Sequence, residues 1–318
     1  MRFGTFVPQG WKGDQNGIPV AEQWDRILAF ANLIEDSGYD SIWVYDHFHT
    51  HPVVAQESTF EAWTLMAALA ALTTRARLGQ MCTCALYRPP SLLAKMAANI
   101  DVISGGRLDV GIGAGWSRGE FEAYGYRFPN DRERLDMLEE AVQVLVAMWT
   151  QDEAGFQGEH YTVHDAINRP RPIQKPHPPL WIAGGGEKRT LRIVAQYGGF
   201  ANFGDNIEEF RHKSRVLAGH CEAVGRPYEE IGRTIHRMSV IGRDDADLRR
   251  KLDIAAARRS CTPEEFADEH FAATVPQAVE EMGYFIDEGC AEMILYFYDM
   301  GEADSLELFA SEVIPQLR

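Results

Sequence analysis

Short runs rich in β-branched and aromatic residues alternate with longer amphipathic runs along the chain. The short runs have the length of strands, and the longer runs have the 3.6-residue period of helices. This alternation constrains the fold most, because it predicts parallel strands joined by right-handed helical crossovers. Eight runs are predicted as strands: Phe3–Pro8, Ser41–Tyr45, Arg77–Ala85, Leu108–Gly113, Leu180–Ala183, Gly199–Phe203, Thr234–Ile241 and Glu292–Tyr298.

Amphipathic helices fill the intervals between these strands. Val20, Trp24 and Ile27 begin one apolar face, and Gly38 follows it as a stop signal. A longer helix is predicted where apolar residues repeat at helical spacing between Leu135 and Trp149. Eight strand–helix units favour a closed (β/α)8 TIM barrel, an α/β fold, over an open doubly wound sheet.

The chain is predicted to be a single barrel domain over 1–318. The segment Gln151–Pro179 is rich in Pro, Gly and His, and no separate core follows it. We therefore interpret 151–179 as an insertion over the mouth of the barrel, at its C-terminal face. A further stretch, Thr262–Glu288, is predicted to be helical and to separate the seventh and eighth strands.

Composition excludes some classes of function. The formal net charge is −16, so the chain lacks the surplus of Lys and Arg that non-specific nucleic-acid binding requires. The longest mostly apolar stretch, Ala62–Leu72, is too short to cross a membrane. The N-terminal residues lack a signal-peptide pattern, and the five cysteines are few and scattered. These features predict a cytoplasmic protein without membrane or nucleic-acid partners.

Catalytic side chains of such barrels lie at the C-terminal ends of strands. The second predicted strand ends in Asp46 and His47, with His49 and His51 close behind. A metal site and a polar cap on the barrel are both open interpretations, although no carboxylates at ligand spacing accompany the histidines. The pattern favours an acid/base pair, because His titrates near neutral pH and a carboxylate can fix its tautomer.

The third and fourth strands end in less specific patterns. Cys82 and Cys84 share one face of a strand, and two thiols are too few for a zinc site, so small fillers of the barrel are the simpler interpretation. Gly111, Gly113 and Gly115 form a G-x-G-x-G pattern that is weak evidence for phosphate binding at this position. There we expect the glycines to let a flat ligand approach the backbone.

The fifth strand is followed by three glycines, Gly184–Gly186, and then by the start of a helix. Converging backbone N–H groups and a helix N-terminus together form an anion site. Lys188, Arg189 and Arg192 are candidate cations nearby, while a flexible turn with solvated charges is the alternative. The pattern predicts a phosphate-bearing ligand.

Four segments of the chain are similar to the bacterial luciferase-like flavin-dependent oxidoreductases, and within them to the coenzyme F420-dependent branch. The segments are GYDSIWVYDHFH (38–49), EAWTLMAALAALTTRARLG (61–79), LYRPPSLLAKMAANIDVISGGRLDVGIGAGW (86–116) and RPRPIQKPHPPLWIAGGGEKRTLR (169–192). Each is modest alone, but their order and spacing are specific for the superfamily.

The resemblance implies roles for particular residues. It implies that Asp46 and His47 are catalytic, with His47 as proton donor near the reactive carbon of the deazaflavin ring. It also implies that Met81–Cys82 lies where the family often has a non-proline cis peptide bond behind the ring. The candidate cofactor-binding residues are Met81, Cys82, Cys84, Gly113, Ala114, Gly115, Ala183, Gly184, Gly185, Gly186 and Glu187, with Tyr87 and Arg88 nearby.

The implied reaction is hydride transfer between F420 and a small organic substrate, with Trp11, Trp116 and Phe203 as walls of the substrate pocket. Trp116 stands near where the sugar-phosphate dehydrogenases of this branch carry a catalytic Glu, which favours a bulkier or more apolar substrate. The alternatives are an FMN-dependent two-component monooxygenase, a non-catalytic flavin-binding paralogue and a metal-dependent hydrolase. The resemblance also implies a homodimer and a separate cofactor reductase. No metal is expected at the site.

Overall fold

The computed structural model describes residues 1–204, 206–301 and 304–318. The strands are β1 (Arg2–Phe6), β2 (Ser41–Val44), β3 (Arg77–Gln80), β4 (Thr83–Cys84), β5 (Leu108–Gly113), β6 (Ala154–Gln157), β7 (Thr162–Ala166), β8 (Leu180–Ala183), β9 (Phe200–Asn202), β10 (Gly232–Gly242), β11 (Phe271–Thr274) and β12 (Cys290–Phe297).

The α-helices surround this sheet. They are α1 (Val20–Asp36), α2 (Ala62–Leu72), α3 (Pro90–Ile103), α4 (Arg118–Ala123), α5 (Asp131–Thr150), α6 (Thr190–Tyr197), α7 (Ile207–Val224), α8 (Asp245–Arg259), α9 (Pro263–Glu269), α10 (Val275–Asp287), α11 (Ser305–Leu308) and α12 (Ile314–Leu317). A 3-10 turn lies at Tyr228–Glu230, and Phe309–Val313 is π-helical. None of the described helices is both long and apolar enough to span a membrane.

The parallel strands close into a barrel. Its order is β1-β2-β3-β5-β8-β9-β10-β12, with β12 pairing back onto β1 and β4 continuing β3 alongside β5. The closing register pairs Arg2 with Glu292 and Thr5 with Leu295. The predicted (β/α)8 fold is confirmed, and each of the eight predicted strands overlaps one barrel strand.

Helix α5 illustrates how the sequence directs the outer layer. The side chain of Asn130 caps the helix by accepting the N–H of Glu133 at 3.0 Å. Leu138, Val142 and Leu145 then follow at helical spacing and are all fully buried. This apolar face packs into the main core between the helices and the barrel strands.

The insertion 151–179 lies elsewhere than predicted. It leaves the end of α5 and returns to the start of β8, and helix-to-strand connections of a barrel lie at the amino-terminal ends of its strands. Near its end, Gln174 hydrogen-bonds Asp101 and the carbonyl of Leu108, the first residue of β5. The placement over the barrel mouth is therefore wrong. The insertion contains the antiparallel hairpin β6–β7, which packs against α5.

The predicted helical stretch Thr262–Glu288 is interrupted. Between α9 and α10 the chain forms β11, which pairs in parallel with β10 outside the closed barrel. Thr262 and Thr274 both form capping boxes, so each helix begins with its own cap. The long connections over the barrel mouth are 7–19, 45–61 and 114–130, which follow β1, β2 and β5.

Candidate active site at the mouth of the barrel

A cavity of about 430 Å³ opens at the C-terminal ends of the barrel strands, where the fold places catalytic residues. Its lining is mostly apolar, with a few convergent polar groups, as is usual for small-molecule sites. The lining residues are Trp11, Tyr45, Asp46, His47, Met81, Cys82, Cys84, Tyr87, Gly113, Ala114, Gly115, Trp116, Ser117, Leu135, Leu138, Ala183, Gly184, Thr190, Asn202, His236 and Met238.

His47 is held rigidly at this mouth. Its ring is parallel to that of Trp11, with a centroid distance of 4.0 Å and an interplanar angle of 3°. Its Nδ1 lies 2.6 Å from Oε2 of Glu120, a distance typical of charge-assisted hydrogen bonds. Because Glu120 occupies Nδ1, Nε2 is the nitrogen of His47 left to exchange a proton with a ligand.

Glu120 is the functional residue that sequence reasoning missed. It lies on the short helix α4. The residue that follows it, Phe121, is buried, and its ring centroid lies 4.8 Å from that of Tyr87. This anchor holds the Glu120 carboxylate over the strand end of β2. There it also accepts the N–H of Phe48 at 2.9 Å and the hydroxyl of Tyr87 at 3.2 Å.

The electrostatics of Glu120 favour its ionised form. Burial opposes ionisation, but the hydrogen bond and charge of His47 and the backbone N–H groups of Phe48 and His49 outweigh it, so the pKa of Glu120 is lowered. The Glu120 side chain is only 1% exposed, which keeps this carboxylate unscreened by water. The site therefore holds a buried carboxylate–imidazole pair.

Asp46 has a different partner from the one predicted. Its buried carboxylate accepts hydrogen bonds from both terminal nitrogens of Arg88, at 2.7 and 2.9 Å. It also accepts a hydrogen bond from the backbone N–H of Cys84 at 2.9 Å. Neighbouring side chains at the end of a strand point to opposite sides, so Asp46 and His47 diverge. The predicted pairing of Asp46 with His47 is therefore wrong, and Asp46 instead ties the β4 backbone to Arg88.

The Met81–Cys82 peptide bond between β3 and β4 is cis, as the resemblance implies. Both cysteines of the C-x-C pattern line the cavity. Burial raises the pKa of Cys82 to about 12 and raises that of Cys84 even further. Neither thiol forms a thiolate near neutral pH, so both contribute shape rather than nucleophilic chemistry.

The glycines in and just after β5 leave room for neighbouring atoms that a larger side chain would displace. A methyl group at Gly111 would lie 1.8 Å from the carbonyl oxygen of Gln80, and one at Gly113 would lie 2.7 Å from Sγ of Cys82. Gly115 has a φ of +75°, and a methyl group there would lie 2.6 Å from Sγ of Cys84. The pattern is thus explained by packing against the 80–84 segment, rather than by ligand approach alone as predicted.

The triple-glycine turn lies at the edge of the cavity. Gly184 lines it, while Gly185, Gly186 and Glu187 lie just outside the lining. A methyl group at Gly185 would lie 2.0 Å from Nζ of Lys213, a lysine of α7 that the sequence analysis did not select. Lys213 is ion-paired with Glu209 on the same helix, and its ammonium group still lies beside the backbone N–H groups of the turn.

Two of the three cations predicted at this turn are engaged elsewhere. Arg189 contacts Asp136 at 2.6 Å and Glu139 at 3.5 Å, and Arg192 lies 3.8 Å from Glu139. Both therefore face the carboxylates of α5. Glu187 is held by the imidazoles of α7, since its side chain lies 2.9 Å from Nε2 of His212.

Two of the three predicted substrate-pocket residues lie in the cavity. Trp116 is 57% exposed and its ring lies 5.5 Å from that of His47. Phe203 does not line the cavity; it is buried in the core and lies 5.7 Å from the ring of Phe210 on α7. Its assignment to the pocket is therefore wrong, because it follows the short strand β9 and turns toward the helix layer.

A second polar pair, Tyr45 and His236, faces the cavity. The Tyr45 hydroxyl lies 2.9 Å from Nε2 of His236 on β10, and both residues line the cavity. Burial, followed by the nearby charge of Lys12, lowers the pKa of His236 to about 3. His236 is therefore neutral near pH 7. Within the described residues, no group of three or more His, Cys, Asp or Glu side chains has a metal-binding arrangement.

Comparisons with known proteins place this geometry in a family. The model of the luciferase-like monooxygenase family matches residues 1–302. The F420-dependent glucose-6-phosphate dehydrogenase of Kineococcus radiotolerans is 27% identical over 339 residues, covering 96% of this chain and 99% of that protein. The pyrimidine monooxygenase RutA of Escherichia coli is 37% identical over 275 residues, covering 80% of this chain and 65% of that protein.

Solved structures share the fold. An F420-dependent secondary alcohol dehydrogenase in complex with an F420–acetone adduct has a TM-score of 0.80 at 22% identity and covers 100% of this chain and 99% of its own. The monooxygenase RslO1 from Streptomyces bottropensis has a TM-score of 0.82 at 21% identity, with 100% coverage of both chains. At these identities the likeness concerns the fold alone. The family model, however, spans nearly the whole sequence, and the protein belongs to the luciferase-like monooxygenase family.

Proposed function

We propose that the protein is an F420-dependent oxidoreductase that transfers a hydride between the deazaflavin and a small organic substrate in the mouth cavity. The observation that carries the proposal is the buried Glu120–His47 pair at the edge of that cavity, with His47 Nε2 as the proton-exchanging atom. Relatives named as F420-dependent glucose-6-phosphate dehydrogenases match the chain over almost its full length, which supports the cofactor.

The residues present fit such a cofactor. A flat ring would lie against the cis Met81–Cys82 segment and the glycine backbone at Gly113, since all three residues line the cavity. The phosphate of the cofactor fits the Gly184–Gly186 turn, because Lys213 supplies a cation there and Thr190 begins α6 beside it. Together these donors form an anion cradle.

When bound, the deazaflavin supplies a carbon centre that gives or takes hydride. His47 moves the accompanying proton at Nε2, while Glu120 orients the ring and stabilises its protonated form. Trp11 fixes the plane of the imidazole by stacking. Asp46 has a structural role, since it links Arg88 to the backbone of Cys84 next to the proposed ring site.

The substrate pocket has an apolar character. Trp11, Trp116 and Met238 form much of the lining on the side of His47 and His236. The resemblance implies that Trp116 stands near the position of the catalytic Glu of sugar-phosphate dehydrogenases. We therefore propose a substrate other than a sugar phosphate, with an apolar body next to the reacting carbon.

Steady-state turnover of the His47→Ala variant tests the role of the pair. General acid–base catalysis contributes about 100- to 10,000-fold, so kcat is expected to fall in that range while F420 still binds. His160→Ala, a histidine of the insertion, is the matched control and is expected to keep wild-type turnover. Full turnover by His47→Ala would refute the proton-transfer role.

An FMN-dependent monooxygenase is the second candidate, favoured by the 37% identity to the pyrimidine monooxygenase. Reduced F420 and reduced FMN are supplied separately while oxygen consumption is followed. Product formation with reduced F420 and no oxygen uptake supports the proposal. Oxygen-coupled product with reduced FMN would replace it by the monooxygenase.

We further propose that each protomer is one barrel domain over 1–318 that acts as a homodimer in the cytoplasm. A separate reductase or dehydrogenase would return the cofactor to its starting redox state. Analytical ultracentrifugation of the purified protein tests the dimer: a sedimenting mass of one chain would contradict it.

A further inference from the structure

A cluster of basic side chains lies beside the substrate cavity. Lys12, from the connection after β1, interacts electrostatically with Arg259, His51, His236 and His270. Five basic groups in one place are unusual for a chain with a net charge of −16. The proposed hydride transfer does not use them.

Lys12 is the least satisfied member of the cluster. The residue is only 5% exposed, and its Nζ lies 3.7 Å from the ring centroid of Trp11 and 5.9 Å from that of Tyr45. Both rings line the cavity, and Lys12 packs against them just outside the lining. Among the described residues, no hydrogen-bond acceptor or carboxylate is paired with it. Cation–π contact with Trp11 is its main stabilising interaction.

The nearest acidic side chain is already committed. Asp14 accepts the hydroxyl of Tyr296 at 2.5 Å and the N–H of Gly10 at 2.6 Å. Buried charges are normally paired, because removing an ion from water is costly when no partner offsets the loss of hydration. Burial, with Arg259, accordingly lowers the pKa of Lys12 to about 7. A ligand anion would supply the missing partner.

Further donors around Lys12 lack hydrogen-bond acceptors. Nε of Arg259 and Nε2 of His270 are both buried without one. The largely exposed Glu269 binds another nitrogen of Arg259 at 3.0 Å and lies 3.9 Å from Nε2 of His270, too far for a hydrogen bond. His236 and Met238 line both the main cavity and a neighbouring cavity of about 220 Å³ that reaches His270. The two cavities are therefore adjacent, with the basic cluster around them.

We propose that Lys12, Arg259 and His270 form an anion subsite that binds the carboxylate or phosphate of an otherwise apolar substrate. This inference deepens the proposed function and rests on it for the word substrate. The apolar body would lie along Trp11 and Met238, and the anionic end would lie away from His47. The subsite thus selects substrates by charge at the end that does not react.

Calorimetric titration with inorganic phosphate and with butyrate tests the subsite in the F420-loaded protein. Lys12→Met keeps the length of the side chain and removes its charge, and Lys95→Met on α3 is the matched control. Loss of a charge-assisted contact is expected to weaken binding of the preferred anion by about tenfold or more in Lys12→Met, with no change in Lys95→Met. Preference for phosphate or for butyrate identifies the anionic group.

Titration of the lysine Cε resonances of the wild-type protein gives a second readout that does not depend on a variant folding. The resonance absent from Lys12→Met spectra is expected to titrate near neutral pH and to move to higher pH when the anion is added. Equal anion affinity in wild type and Lys12→Met, or a Lys12 titration unmoved by both anions, would overturn the subsite. Anion binding at Lys12 without F420 binding would instead refute the proposed function and leave the subsite standing.

Discussion

Replacing Glu120 by Gln removes one charge from the candidate active site while preserving its shape. The bond to His47 Nδ1 is 2.6 Å long, and the side chains of Glu120 and His47 are only 1% and 11% exposed. A buried hydrogen bond to a charged group contributes about 1.5–3 kcal/mol, and each 1.36 kcal/mol corresponds to a factor of ten in rate. We therefore expect Glu120→Gln to lower kcat about 10- to 160-fold.

The assay measures kcat, KM and the dissociation constant of F420 across the pH range in which the protein stays folded. The loss of kcat is expected throughout this range, because the amide carries no charge to pair with the imidazole of His47. F420 affinity is expected to stay unchanged, because Glu120 does not line the cavity. Glu122→Gln, whose side chain is 62% exposed, is the control and should behave as wild type.

Two results would refute this reasoning. One is a Glu120→Gln variant with wild-type kcat throughout that pH range, since the carboxylate would then have no influence on His47. The other is a loss of kcat matched by an equal loss of F420 binding, which would indicate a structural role alone.

Three further predictions concern the cofactor turn and stability. Lys213→Met is expected to weaken F420 binding about tenfold or more at unchanged kcat, measured by fluorescence titration; unchanged affinity would remove Lys213 from the anion site. Gly115→Ala is expected to lower the free energy of unfolding by about 2–4 kcal/mol, whereas Gly119→Ala in open helix space should raise it slightly; equal effects in urea unfolding would contradict the packing argument. Lys251 and Arg243 lower the pKa of Asp304 to about 2, so its stabilising contribution is present above its usual value of 3.8 and is lost as pH falls toward 2. Asp304→Asn should therefore be less stable than wild type at neutral pH, with a gap in unfolding free energy that closes on acidification.

The barrel was predictable because strand and helix periods are local properties of sequence. Leu108–Gly113 and Leu180–Ala183 have the predicted bounds, since turn residues flank each run. The segment Thr262–Glu288 was mispredicted because β11 forms only by pairing with β10, a contact that no local pattern encodes.

The candidate site divides in the same way. Residues at strand ends, such as His47 and Met81, follow directly from the strand pattern. Glu120 lies 73 residues from His47, and only the packing of α4 brings the two together. The sequence did offer one signal: Glu120 stands next to the apolar Phe121 in a short helix that follows a barrel strand. The partners of the charged residues could not be predicted either. No local sequence pattern shows that Arg189 faces α5 or that Lys213 faces the glycine turn.

The central claim is that the cavity binds a deazaflavin with His47 at its edge. Parallel absorbance titrations of the purified protein with F420 and with FMN test it most directly. The account predicts a saturable spectral change with F420 and weaker or no binding of FMN, with F420 affinity retained in His47→Ala. Tight binding of FMN together with no spectral response to F420 would contradict it.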